Sequence, residues 1–340
     1  MAVSQAPGAR VKRLGVMLAL ALAFPASALR AQTRLVVISG LGGEPKYSQS
    51  FAQWSKALAE AGRSRFGLPE SAITWLGEDS VAKSPLYRGR ATRVNIERAF
   101  ESLARSAGAN DQVVIVLIGH GGGEGENTRI SLPGPDLTGA DFARLLARFP
   151  TQRIAFINLT SGSGDVMRVL AGPRRIIVTA TRSAFERNES RFAEHFVTAL
   201  ASNGADADKD GRVSMLEAFR FAVAETKRFY ETESRLATEH PQLDDDGDGI
   251  GTAAPDGRGG DGVQARRFFL DVSTVAAQAV ANNPRLTALY KEQDIRREQI
   301  DSLRRRESQM TPAAYESAIE KLVSAFADAA REIRRLEGRP

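Results

Sequence analysis

The chain has 340 residues and a mass of about 36.7 kDa, a length that suits one large domain or two smaller ones. Apolar residues make up 42% and charged residues 26%, ordinary globular usage that excludes a mainly disordered chain, a collagen-like repeat and a multi-span membrane protein. There is no cysteine, which excludes a disulfide framework, a zinc ribbon and a thiol nucleophile.

The net charge of +5 invites a nucleic-acid partner until its location is read. Arg10, Lys12 and Arg13 precede an apolar run from Leu14 to Phe24, Pro25 ends it, and Ala26-Ser27-Ala28 offers small residues for cleavage. This is the order of a secretory signal peptide, and the run is too short to span a bilayer as a helix. Residues 1–31 hold four of the 46 basic residues and no acid, so the remainder carries 42 basic against 41 acidic residues. A mature chain near neutrality gives no electrostatic case for nucleic acid. The expectation is a bacterial periplasmic or secreted protein with no membrane span after processing.

From Arg34 to about Val272, short apolar runs alternate with amphipathic helical patterns. Strands are expected at 35–38, 72–76, 113–118, 154–157 and 176–179, with a late edge strand at 267–270. Helices are expected near 48–63, 92–106, 139–148, 191–201 and 215–229. The runs do not alternate apolar with polar residues, as strands buried on both faces do not. The fold class this predicts is α/β: a three-layer α/β/α sandwich around a mainly parallel sheet. Residues 32–273 are read as that domain.

Residues 274–340 differ, being rich in Arg, Glu, Ala and Leu. Ile319, Leu322, Phe326, Ala329, Ile333 and Leu336 step by three and four, a heptad seam. Pro312 suits the first turn of a second helix. A C-terminal helical hairpin is expected, able to pack on the sheet domain or to dock a partner or a second copy.

Sites in open α/β sheets form at the carboxyl ends of strands. The strand at 113–118 runs into Gly119-His120-Gly121-Gly122-Gly123, and that at 154–157 into Asn158-Leu159-Thr160-Ser161-Gly162-Ser163-Gly164. A buried strand ending in His-Gly, followed by a buried strand ending in a small-residue turn, resembles the caspase-like peptidases and most closely their legumain branch. The resemblance covers roughly residues 34–272 and implies a caspase-like sandwich. It puts His120 at the catalytic histidine, Ser161 at the position of the cysteine nucleophile and Gly121 as an oxyanion donor. It also implies that 179–183 borders the substrate pocket. An alignment shifted by one residue puts Thr160 at the nucleophile instead. Legumains carry an asparagine after the first strand that orients the histidine, and Gly42 stands there in this chain.

A thiol and an imidazole have close pKa values, so a thiolate forms readily; a serine needs a histidine supported by a third group. The resemblance therefore implies a catalytically degenerate homologue that binds a peptide or protein segment. A serine-dependent peptidase or hydrolase is the alternative within the same site. A scaffold acting through the C-terminal helices is the alternative outside it.

Asp206-Ala-Asp208-Lys-Asp210-Gly211-Arg212-Val213-Ser214-Met-Leu-Glu217 matches the 12-residue calcium loop. Asp206, Asp208 and Asp210 take its positions 1, 3 and 5, Gly211 position 6, the Arg212 carbonyl 7, Ser214 9 and Glu217 12. A structural Ca2+ is expected. A second acidic run, Asp244-Asp245-Asp246-Gly247-Asp248-Gly249-Ile250, has Pro255 at position 12. Either Asp256 or Asp261 is then needed to close a site, against the alternative of a flexible loop. His195 and His240 fall in no transition-metal pattern.

Overall fold

The computed structural model describes residues 32–78, 84–257, 260–271 and 283–337; residues 1–31, expected to be a signal peptide, lie outside them. The expected strands β1 (Thr33–Ser39), β2 (Ile73–Gly77), β4 (Gln112–Ile118), β8 (Arg153–Asn158) and β9 (Arg175–Thr179) are present. With β3 (Tyr87–Arg90) and β10 (Gln242–Asp244) they form one sheet in the order β10-β9-β8-β4-β1-β2-β3. Every pairing is parallel except that of β10 with β9. The mainly parallel sheet is thus borne out.

Residues of the central strands alternate between two cores. Leu35, Val37, Val114, Val116, Ala155 and Ile157 face one; Val36, Ile38, Val113, Ile115, Leu117 and Phe156 face the other. Both faces being covered, both sets must be apolar, which is why the runs carry no period of two. Helices α1 (Pro45–Ser64), α5 (Arg191–Ala201) and α6 (Met215–Thr232) cover the first face. Helices α2 (Arg93–Ser106), α3 (Gly139–Leu146) and α4 (Val166–Leu170) cover the second. In α1 the stripe Phe51, Ser55, Leu58 and Gly62 is buried. A Cβ at Gly62 would lie 2.9 Å from Leu35 Cδ2, so glycine lets this helix approach β1. Local caps start the helices: Thr92 accepts from Asn95 N–H on α2, and the Thr138–Asp141 and Ser214–Glu217 pairs form reciprocal capping boxes on α3 and α6.

One expectation is corrected. The segment 267–270 is not a strand of the main sheet: a 3-10 turn at Ala265–Arg267 leads to a single antiparallel bridge between Phe269 and Ser214. Phe268, Phe269 and Leu270 are buried as a plug. The antiparallel edge comes instead from β10. Three short strands, β5 (Gly121–Gly122), β6 (Arg129–Ile130) and β7 (Leu137–Thr138), make a separate small sheet directly after His120.

The tail forms α7 (Pro284–Arg305) and α8 (Pro312–Glu337). Leu286 and Leu289 pack with Ala329 and Ile333 and against Leu336, which makes the pair antiparallel. The later part of the heptad seam is therefore filled from within the hairpin. Arg334 donates to the Lys209 carbonyl at 2.6 Å, so α8 also rests on the acidic loop at 206–217. No helix among the described residues is long and apolar enough to cross a membrane.

Candidate functional site

The chain leaves β1 toward β2 on one side and returns with β4 on the other. This reversal is the topological switch point, where crossovers diverge and leave a crevice beyond the strand ends. Gly40 to Gly42 follow β1 there, His120 follows β4, and Thr160 and Ser161 follow β8, the next strand over. The small sheet pins the loop: Ser131 N–H donates to the His120 carbonyl at 2.9 Å, and the Ser131 carbonyl accepts from Leu41 N–H at 2.9 Å.

The His120 ring stands edge-on to Tyr47 (centroids 4.7 Å apart, planes at 87°) and to Phe51 (5.1 Å, 70°), both on α1. Its Nε2 lies 3.2 Å from the Gly42 carbonyl oxygen. A carbonyl only accepts, so Nε2 is the donor in this contact. Gly42 is fixed in turn, its N–H donating to Glu78 Oε2 at 3.1 Å, and Ser48 Oγ donating to the same oxygen at 2.8 Å. Where the sequence offered only the loss of an orienting side chain, the backbone of Gly42 supplies an orienting carbonyl.

Ser161 is 4% exposed. Its Oγ accepts from Gly121 N–H at 3.3 Å and donates to the Gly121 carbonyl at 3.5 Å. Gly121 has to be glycine, because a Cβ there would meet Thr160 Oγ1 at 2.5 Å and the Ser161 carbonyl at 2.8 Å. Thr160 is fully buried, and its hydroxyl donates to Asn158 Oδ1 at 2.8 Å. Among the described residues no hydrogen bond joins His120 to Ser161 or Thr160, and no carboxylate hydrogen-bonds the His120 ring. Ser163 serves the turn, its Oγ accepting from Ala180 N–H at 3.1 Å and Thr181 N–H at 3.3 Å.

The segment after β9 closes the other wall. Gly162 N–H donates to the Glu186 carbonyl at 2.8 Å. The Glu186 carboxylate accepts from Arg182 N–H and His240 N–H, both at 2.9 Å, and pairs with His240 Nδ1 at 2.6 Å. Phe185 stands 74% exposed beside it. His195, on α5, is half-buried; burial holds its pKa below the ordinary value and its Nε2 has no partner. Among the residues around His120, Glu78, which holds Gly42, is within reach of sequence reading as an acid directly beyond a buried parallel strand; Tyr47 and Phe51 read only as the apolar face of a helix.

In the calcium-loop sequence, Asp206, Asp208 and Glu217 bring carboxylate oxygens within 4.8 Å of one another. Gly211 N–H donates to Asp206 Oδ2 at 3.0 Å, Asp210 N–H to Asp208 Oδ1 at 3.1 Å, and Arg212 N–H to Asp210 Oδ1 at 2.8 Å. These bonds curl the loop around its acids. Asp206 Oδ1 is buried with no hydrogen-bond partner. Burial holds the Glu217 carboxyl above its usual range, with the Asp210 charge adding to it. A hard cation with oxygen ligands suits that set, since it would compensate both the orphaned oxygen and the crowded charge. Asp210 itself lies outside the convergent trio.

The second acidic run is also ordered. Asp244, fully buried, accepts from Gly247 and Gly249 N–H at 2.9 and 2.6 Å. Of the two candidates to close it, Asp261 is the one that joins Asp244 and Asp246. Its pKa is pushed up to about 6, by burial first and then by the charges of Asp246 and Asp244.

The fold and strand-end crevice define an α/β/α protein with its candidate site at the sheet's switch point. No family model matches the chain, and no curated protein does. Among solved structures, the Drosophila initiator caspase Dronc is similar at 13% identity and a TM-score of 0.40, over 72% of this chain and 92% of that one. A protein of Geobacter sulfurreducens is similar at 12% identity and a TM-score of 0.39, over 62% of this chain and 92% of that one.

Proposed function

We propose that the chain is an exported peptidase homologue of the caspase and legumain type in which Ser161 stands at the nucleophile position, and that it binds a peptide or protein segment in the strand-end crevice without cleaving it efficiently. The observation that carries this is the pairing of His120 and Ser161 at the ends of neighbouring parallel strands, with Ser161 bonded to Gly121 and not to His120. A serine nucleophile needs a base that takes its proton and a group that supports that base. Here the ring is supported by a carbonyl, which holds its tautomer but brings no negative charge to stabilise an imidazolium. The Gly121 amide, the oxyanion donor of the reading, already donates to the Ser161 hydroxyl. The same architecture favours an extended ligand, because the crevice is edged by the 182–187 segment with Phe185 exposed on it.

A structural Ca2+ held by Asp206, Asp208, Asp210, the Arg212 carbonyl, Ser214 and Glu217 completes the proposal. It would cancel carboxylate repulsion at the start of α6 and has no part in chemistry at His120.

Replacing the hydroxyl by a thiol tests the site. Ser161→Cys is expected to react with a thiol-directed peptidyl inhibitor faster than a cysteine placed on an exposed helix, and to lose that advantage with His120→Ala. Equal rates for all three proteins would remove the dyad. Peptide cleavage by the wild type that disappears in Ser161→Ala would replace the binding reading by a serine peptidase.

A further inference from the structure

The C-terminal hairpin has a small core of its own, Leu286, Leu289, Ala329 and Ile333, separate from the two cores of the sheet domain. Its contacts with that domain include a polar one and an apolar one. In the first, Arg334 of α8 donates to the Lys209 carbonyl at 2.6 Å, and its stem covers Gly211, where a Cβ would lie 3.4 Å from Arg334 Cδ. In the second, Ile300 of α7 and Phe326 of α8 face Leu216 of α6 and Phe269 across a cavity of about 430 Å3. None of these four side chains is more than 8% exposed, yet the gap between them forfeits dispersion contacts that close packing would supply. Both contacts involve the loop at 206–217. Lys209 and Gly211 alternate with the acids Asp208 and Asp210 along it. They are held at φ +60° and +89°, a left-handed conformation that a lysine keeps only where its surroundings impose it. Asp208 and Glu217 form the loop's side of the cavity, so whatever fixes these acids fixes the surface on which the hairpin rests.

Building on the calcium site proposed above, we infer that the ion locks the C-terminal hairpin onto the sheet domain, and that its removal releases the hairpin and uncovers Leu216, Phe269, Ile300 and Phe326. Asp206, Asp208 and Glu217 bring carboxylate oxygens within 4.8 Å of one another. Without a cation these charges repel, and spreading them carries the Lys209 carbonyl away from Arg334. A bound ion sets their spacing and with it the carbonyl. Charge alone would act in the opposite sense, since a guanidinium is repelled by a bound cation and drawn to a bare acidic loop. Arg334 bonds a neutral carbonyl in an exposed contact, however, where salt screens the charge effect and leaves the position of the carbonyl to decide. Linkage makes the coupling reciprocal: what calcium does for docking, docking does for calcium.

The chain has no cysteine of its own, so Ala224→Cys on α6 and Ser308→Cys at the turn of the hairpin, both exposed, can carry a pair of spin labels in the full-length protein. A narrow distance distribution is expected in calcium and a broad one in chelator. Calorimetry then measures the calcium-binding event that Asp206→Ala removes. Its affinity should fall about tenfold in Arg334→Ala, inside the usual range for coupled sites. Arg331→Ala, which removes an exposed arginine one turn away, should leave it unchanged. A protein that binds calcium at this loop yet keeps one distance distribution in both conditions would overturn the inference and leave the calcium site standing. No calcium binding at all would remove both. An unchanged affinity in Arg334→Ala would also overturn the coupling, and a raised one would show that the guanidinium acts by charge alone, against it.

Discussion

Glu239 offers a test of how the walls of the crevice are held. It is 4% exposed and accepts four hydrogen bonds: Ser190 Oγ at 2.7 Å, Arg191 N–H at 2.7 Å, Phe192 N–H at 3.2 Å and Tyr230 OH at 3.2 Å. The two amides are the first of α5, which have no partner within the helix, and Ser190 caps the third by accepting from Ala193 N–H. One carboxylate thus closes the start of α5 from 47 residues away in sequence. Glu239→Ala leaves the buried Phe192 amide and the part-buried Arg191 amide unsatisfied, at about 1–3 kcal/mol each. Tyr230 OH keeps Thr238 Oγ1 at 3.0 Å, so the hydroxyls add little. The expected loss is about 3–5 kcal/mol, a large part of a stability of about 5–15 kcal/mol. Glu239→Gln, keeping one of the two acceptor oxygens, should lose about half as much. Urea unfolding followed by the fluorescence of Trp54 and Trp75 measures both. Hydrogen exchange should quicken at 182–193, because His240 is the next residue and holds Glu186 against Gly162. A loss under about 1 kcal/mol with unchanged protection of α5 would refute this account of the cap.

Calcium should raise the melting temperature, and Asp206→Ala or Glu217→Ala should each remove most of the rise; at a hundredfold excess over Kd the linkage is worth about 2.7 kcal/mol. No calcium dependence in the wild type would dismiss the site. In chelator, stability should fall as pH rises from about 4 to about 6, because the unfolded chain gives up its Asp261 proton near 3.8 while the folded chain holds it to about 6. The full shift corresponds to about 3 kcal/mol, which screening at a partly open site reduces to about 1–2 kcal/mol; Asp261→Asn, whose oxygen still accepts from Asp245 N–H, should flatten that slope in urea titrations. Asp141, held well below the carboxylate range first by Arg93 and then by the Thr138 cap, has the opposite sign: its contribution is present above about pH 4 and is lost on further acidification, so Asp141→Asn should narrow the acid-stability gap. Glu78→Ala should release Gly42 and Ser48 and slow labelling of Ser161→Cys while leaving the unfolding midpoint close to that of the parent; an unchanged labelling rate would show that the Gly42 carbonyl needs no such support.

Much of this architecture is legible because burial on both faces writes itself as unbroken apolar runs. Val113 to Ile118 and Ile154 to Ile157 needed no partner to be read as central strands. The misses have the converse cause. β3 reads Tyr-Arg-Gly-Arg and is half exposed, and β5, β6 and β7 are two residues each; none is long enough to carry a period. Phe268, Phe269 and Leu270 have the composition of a strand, yet Met215 N–H takes the Phe268 carbonyl at 2.8 Å and Gln112 Nε2 the Phe269 carbonyl at 3.1 Å. Those partners come from a helix start and a side chain, so the segment plugs the core without joining the sheet. Asp261 could not be chosen over Asp256 from spacing, since the intervening loop decides which acid returns to Asp244.

The candidate site shows the same limit at finer scale, and the limit bears on function. Sequence reading compares side chains, so Gly42 is scored as the absence of an orienting group and Gly121 as a free amide. The folded chain reverses both. Gly42 orients His120 through its carbonyl, while Gly121 spends its N–H on Ser161. Ser161 is buried, bonded to the amide that the proposed function assigns to the oxyanion, and joined by no hydrogen bond to His120. To attack a carbonyl it would have to give up the Gly121 contact and then find that same amide for the oxyanion. A thiol in its place would bind that amide far more weakly, and its lower pKa would free it from full reliance on a supported base. On the function proposed above, the backbone around Ser161 limits turnover as much as the serine itself does, and Tyr47 and the 182–187 segment edge the ligand's crevice.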